Sequence, residues 1–228
     1  MGYIYETHMH TSQVSRCAVS TAEEQVRAYK QRGYTGIIVT DHFVNGWCHC
    51  PTDLPWEEKI QFLLRGYRAA KKEGDKCGLD VFLGWEYPDN GSDYLTYGLG
   101  EDFLRAYPQL DDLTIDEYSP LVRKHGGFIA QAHPYRESIR PNGNCLPAAP
   151  HLIDAVEVYN ASHPYKTNIQ AYDFAKLHGL PMQAGSDSHA AELAFASGIR
   201  LKEKAESISD IINAIKAGQA ELVLHNKG

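Results

Sequence analysis

Histidine, aspartate and glutamate recur in this chain at spacings suited to holding metal ions. The stretch "YETHMHTS" places His8 and His10 one residue apart. Alternate residues of an extended chain share a face, so both imidazoles project one way and Met9 the other. Further along, "TDH" supplies Asp41 and His42, "GWEY" supplies Glu86, "AQAHPY" supplies His133 and "GSDSH" supplies Asp187 and His189. Each group ends a strand-like run. One such residue is ordinary loop chemistry, whereas a His, Asp or Glu at every one of these strand ends is a constellation. Mixed imidazole and carboxylate donors suit Zn²⁺, Mn²⁺ or Fe²⁺ better than Ca²⁺ or Mg²⁺. The set exceeds the need of one ion, and Glu86, with two oxygens, is able to bridge two.

The elements that must position these groups alternate. "YIYETH" reads as a strand. The helix "STAEEQVRAYKQRGY" follows, with Ser20 or Thr21 as N-cap and Gly33 as its stop. "TGIIVTDH" is an apolar run of buried-strand length. "LPWEEKIQFLLRGYRAAKKEG" is an amphipathic helix with Pro55 in its first turn and Gly74 just past its end. "LDVFLGWEY", "DYLTYGLG", "FIAQAHPY", "IDAVEVYN", "PMQAGSDSH", "GIRL" and "ELVL" read as strands. "TIDEYSPLVRKHGG", "TNIQAYDFAKLHG" and "SISDIINAIKAG" read as helices. No linker or repeat interrupts them. The reading is an α/β fold, one irregular TIM-barrel-like (β/α) domain over residues 1–228, with the ligand residues at the C-terminal strand ends where such barrels build active sites.

Composition narrows the function. The chain has 228 residues, 43% hydrophobic and 22% charged, with a net charge of −7. That acidity argues against sequence-independent nucleic-acid binding and against an anionic membrane surface. No apolar run reaches the length of a membrane span, no targeting segment is evident, and the five cysteines form no disulfide framework, so a cytoplasmic protein is expected. "GWCHCPTD" places Cys48, His49 and Cys50 too close together for good chelation and reads as a loop near the mouth of the site. His163 in "ASHPY" follows a strand and is left out of the ligand set.

"HMHT", "GIIVTDH", the Glu of "GWEY", "AHP" and "GSDSH", in this order over nearly the whole chain, resemble the PHP family, named for polymerase and histidinol phosphatase domains. The resemblance implies a PHP-type distorted (β/α)7 barrel with two to three divalent transition-metal ions (Zn, Mn or Fe). Carried over, His8, His10, Glu86 and Asp187 would hold one ion, Glu86 and His133 a second, and His42 and His189 a third. Two positions depart from the pattern: Arg16 or Cys17 stands near one expected His, and Tyr94 stands where another is expected. Cys17 is able to substitute at its site, since thiolate ligates zinc.

The implied activity is hydrolysis of a small phosphate ester by water activated at the metals, with Asp187, His189, His42 and Arg16 as catalytic residues. His42 or His189 would protonate the leaving alkoxide, and Arg16, Arg136 and Arg140 would bind phosphate. "RESIRPNGNC" reads as a substrate-covering loop. The expected partner is a small phosphorylated molecule, with no attached polymerase. An amidohydrolase-type C–N hydrolase and a degenerate metal-binding domain are the alternatives. The first would use a Lys bridge where this chain has Glu86.

Overall fold

A computed structural model describes residues 2–137, 145–193 and 197–224. Apolar runs with few polar interruptions become the strands, and the helices between them lay one apolar face on the sheet. The order is β1 (Tyr3–Met9), α1 (Ala22–Gln31), β2 (Gly36–Val39), α2 (Trp56–Cys77), β3 (Asp80–Asp89), β4 (Ser92–Tyr97), α3 (Glu101–Ala106), α4 (Ile115–Lys124), β5 (Phe128–Ala132), β6 (Ala155–Asn160), α5 (Tyr165–His178), β7 (Met182–Gly185), β8 (Gly198–Leu201), α6 (Ile208–Lys216) and β9 (Glu221–Val223). Thr21 caps α1, and its side chain and that of Glu24 satisfy each other's backbone amides.

The described strands form one nine-stranded sheet in the order β7-β6-β5-β4-β3-β2-β1-β8-β9. It curls until β7 returns to β1: the Asp187 amide donates to His8 O at 2.8 Å and the His10 amide to Ser188 O at 2.9 Å. The result is an α/β, nearly closed, barrel-like sheet. Its departures from a β/α repeat are antiparallel pairings. β3 and β4 are joined by the two-residue turn Asn90-Gly91, both with positive φ, and pair antiparallel. β4–β5, β1–β8 and β8–β9 are antiparallel as well. Only β1–β2, β2–β3, β5–β6 and β6–β7 keep the parallel pairing of a β/α repeat.

Gly74 lies inside α2 rather than beyond it, and Gly78 (φ 72°) ends the helix. A Cβ on Gly74 would stand 2.6 Å from Leu79 O, so glycine there lets the helix lie directly on the entrance to β3. No helix among the described residues is long and apolar enough to cross a membrane.

Candidate metal centre

β1 does not run straight into the site. Its register against β2 slips by one residue between Glu6 and Met9, a bulge that leaves amides unpaired. Buried Glu6 fills the gap: Oε1 accepts from the amides of Thr7, His8 and Ser186, each at 2.9 Å, and Oε2 accepts from Tyr29 OH at 2.9 Å. Burial pushes this carboxyl up to about 7 although those bonds pull it down. The bulge is thus pinned to β7, which aims His8 and His10 at the residues following that strand.

There the predicted ligands meet. His10 Nε2 lies 3.2 Å from His8 Nε2 and 3.2 Å from Asp187 Oδ1. His8 Nε2 lies 3.4 Å from Glu86 Oε1 and 3.5 Å from Asp187 Oδ1. Glu86 Oε1 is 3.0 Å from His133 Nε2, and its Oε2 is 2.7 Å from His42 Nδ1. His189 stacks on His10 with ring centres 4.5 Å apart. His42 and Glu86 face each other across an isolated parallel bridge that extends the β2–β3 pairing. The first cluster drawn from sequence, His8, His10, Glu86 and Asp187, is therefore contiguous. The cluster of His42 and His189 gains His10.

Buried groups fix the imidazoles. Glu157 Oε1 holds His8 Nδ1 at 2.9 Å. Asp41 accepts from the Thr11 amide, Thr11 Oγ1 and Ser15 Oγ, and Ser15 Oγ meets His10 Nδ1 at 3.1 Å. Asp41 is thus a support rather than a ligand. Burial opposes a charge on His8, but the carboxylates of Glu157, Asp187 and Glu86 prevail and hold its pKa well above the usual value. Burial, with the charges of His42 and His189, lowers His10 to about 3, so it is the neutral imidazole a cation requires. Burial disfavours ionised Glu86 and Asp187, yet their histidine neighbours keep both well below the normal carboxylate range.

This donor set fits divalent transition ions. Imidazole nitrogens and carboxylate oxygens converge with almost no solvent. Glu86 Oε2, although close to His42 Nδ1, is a buried acceptor without a hydrogen bond, and His133 Nδ1 is likewise unbonded. Such atoms are costly to bury unless something else satisfies them.

A cavity of about 780 Å³ opens on the cluster, lined in part by Cys17, Trp47, Asp93, Arg136 and His163. Arg136 lines it and donates to Asp93 Oδ2 at 2.7 Å. Arg16 does not line it. It is exposed, and its guanidinium lies 5.9 Å from the centre of the Trp47 ring at the rim. Arg140, with the rest of 138–144, lies outside the described residues. Tyr94 points into the apolar core, and the site-facing position on β4 belongs to Asp93, one residue earlier. Cys48 and Cys50 are buried in that same core, and His49 is exposed, as a loop without metal would have it. Sequence reasoning missed Glu6, Glu157 and Asp93, and it left His163 out of the ligand set. A carboxylate amid apolar strand residues, as in "AVEVYN", was the available signal for Glu157.

Two expectations arise here. Glu157→Gln would weaken divalent-ion affinity about 10–100-fold, because His8 loses the carboxylate that orients it. Calorimetric titration of cobalt into metal-free protein would check this, and unchanged affinity would contradict it. Cys17 Sγ is 3.2 Å from His42 Nε2. Burial raises its pKa, but hydrogen bonds with His189 and His42 outweigh that and bring it down to about 7. Its alkylation by iodoacetamide in metal-free protein is therefore expected to rise through pH 7, while Cys50, pushed up to about 11 by burial, stays unmodified. Peptide mapping reads both, and a Cys17 midpoint above the ordinary thiol value of about 8.5 would refute the expectation.

A family model described as PHP-associated matches residues 166–220, the segment from α5 to the approach to β9. Among solved structures, a two-domain protein from Bacteroides vulgatus containing a predicted PHP-like metal-dependent phosphoesterase superposes on 99% of this chain with a TM-score of 0.73 at 16% identity. The likeness shows a shared fold. The chain spans 65% of that two-domain structure. A protein from Bifidobacterium adolescentis, proposed to be a metal-dependent phosphoesterase, matches 94% of this chain and 96% of its own length, with a TM-score of 0.55 at 14% identity. An amidohydrolase from Chromobacterium violaceum matches 82% of this chain and 87% of its own, with a TM-score of 0.56 at 14% identity. No curated protein matches the chain.

Proposed function

We propose that this protein is a PHP-type metal-dependent hydrolase that cleaves a small phosphate monoester. The convergence of His8, His10, Glu86 and Asp187 beneath an open cavity that also holds Arg136 carries the reading. His8, His10, Glu86 and Asp187 would hold one divalent ion, and His133 and His42 with Glu86 lie beside it for others. Zinc, manganese or iron is the expected identity. Bound ions would supply Lewis-acid polarisation of the phosphoryl group and lower the pKa of water to near neutrality.

The protein's own groups do the rest. Arg136 presents a fixed positive charge to phosphate oxygens and is held in place by Asp93. The Asp41–Ser15 pair keeps His10 in one orientation. Burial lowers the pKa of His189, but Cys17 and Asp187 outweigh it and raise it, which favours the protonated imidazole. Its Nδ1 donates to Asp187 O at 2.8 Å. That bond leaves Nε2 as the atom from which a leaving alkoxide would take a proton. Among the described residues lining the cavity there is no lysine, and Arg136 is the sole arginine. The missing lysine favours phosphate esters over the C–N chemistry that a lysine bridge would serve. A phosphorylated small molecule as partner and a reducing cytoplasm, in keeping with five free thiols, belong to the same proposal.

Elemental analysis of the purified protein, run beside an aryl phosphate assay before and after chelation, tests it. Bound zinc, manganese or iron and turnover that chelation removes and metal restores are the expected results. Failure to bind metal after reconstitution would overturn the proposal.

A further inference from the structure

His163 ends the β6 side of the site and belongs to none of the ligand sets above. Its Nε2 lies 3.5 Å from Asp187 Oδ2, and its ring meets His133 edge-on with centres 5.1 Å apart. One donor atom each from His133, His163 and Asp187 falls within 4.8 Å of the others. The two oxygens of Asp187 divide the work. Oδ1 faces His8, His10 and His189, and Oδ2 faces His133 and His163.

The local chain is built to hold this arrangement. Ser162 Oγ donates to Ser186 O at 2.8 Å, tying the residue before His163 to the end of β7. Asn160 Oδ1 accepts from the Ser162 amide, and Asn160 Nδ2 reaches Glu157 Oε2 at 2.9 Å and Asp187 Oδ2 at 3.4 Å. Pro164 then fixes the backbone, and α5 begins at once. His133 (φ 29°) and Asp187 (φ 53°) adopt left-handed backbone that non-glycine residues avoid. Such conformations persist where the surroundings over-determine them, and they cluster at functional sites.

We propose that His163, with His133 and Asp187, ligates a second divalent cation beside the one held by His8 and His10. This rests on the metal-dependent reading above and deepens it: where Tyr94 turns away into the core, a histidine from the segment between β6 and α5 completes the coordination instead. Three donors of imidazole and carboxylate type leave positions open for substrate oxygens, the pattern of a reacting rather than a structural ion.

Metal-free protein titrated with Co²⁺, read by calorimetry and by elemental analysis after gel filtration, tests this without an activity assay. Wild type is expected to retain at least two equivalents. His163→Ala is expected to lose one of them, or to hold it at least tenfold more weakly, while the remaining binding is unchanged. His163→Glu, which keeps a donor atom at similar reach, is expected to retain more cobalt than His163→Ala. Circular dichroism of the metal-free forms is expected to be alike, since the side chain is 19% exposed. Identical stoichiometry and affinity in wild type and His163→Ala would overturn the assignment while leaving the hydrolase proposal standing, and so would equal loss in both variants. A wild type that binds no cobalt would overturn both.

Discussion

Asp187→Ala should remove bound metal and turnover together. Asp187 is the carboxylate that touches both sides of the centre, within 3.6 Å of His8, His10, His189 and His163. Without it, His8 and His10 keep their close approach but lose the anion that makes a cation between them favourable. Several kcal/mol of transition-state stabilisation depend on such an ion. At about 1.4 kcal/mol per tenfold, turnover is expected to fall on the order of 10³-fold. Turnover within tenfold of wild type, or undiminished metal content, would refute this. The variant also carries a pH signature in metal-free protein. Burial works against the ionised form, but His8, His10 and His163 hold the Asp187 pKa well below normal. A depressed carboxylate adds stability above its unfolded pKa of about 3.9, and that stability is lost as the pH falls through the folded value. Asp187→Ala should lack this acid-side loss, which melting curves from neutral pH downward would show.

Gly198→Ala should produce the largest loss of stability from a single methyl group. Gly198 opens β8 with φ 134°, and a Cβ there would stand 2.2 Å from Tyr5 O. The obstacle is backbone of the partner strand, so no side chain is able to swing aside. Strain at the dihedral and displacement of β1 together cost about 3 kcal/mol or more. For a chain of this length that corresponds to roughly 6–12 °C in Tm. Calorimetry would check it, and a change under about 2 °C would contradict the close approach. Because β1 carries His8 and His10, metal affinity should fall in the same variant.

The residues that converge in the site were legible because they sit at strand ends, and a strand end is read from an apolar run and the residue that follows it. His8, His10, His42, Glu86, His133, Asp187 and His189 were all readable this way, and all meet. The supports were not. Glu6 and Glu157 are polar residues inside strands, and only the curl of the sheet reveals that one pins the β1 bulge and the other holds His8. His163 follows a strand as His133 does, but nothing in the order of residues says that its strand neighbours β7. A single residue of register separates Asp93 in the cavity from Tyr94 in the core, because strand side chains alternate faces. The β3–β4 hairpin is written in "DNGS", an Asn-Gly turn signal between two strand-like runs. Arg16 follows a ligand motif in sequence, but the flat face of Trp47 gives its guanidinium a place outside the cavity.

β1 lies between β2 and β8, and its end also meets the residues after β7. Thr7 Oγ1 bonds to Ala184 O, a separation of 177 residues, and the Ala205 amide bonds to Tyr5 OH across 200. On a ribosome adding about 5–20 residues per second, the strand bearing His8 and His10 emerges roughly 10–40 s before its last partners exist. Until then it has β2 on one side and an open edge on the other, with its histidines lacking Asp187. A nascent chain therefore cannot trap a cation in the finished geometry. Under the metal-dependent proposal, loading would be a late event, one that follows closure of the sheet.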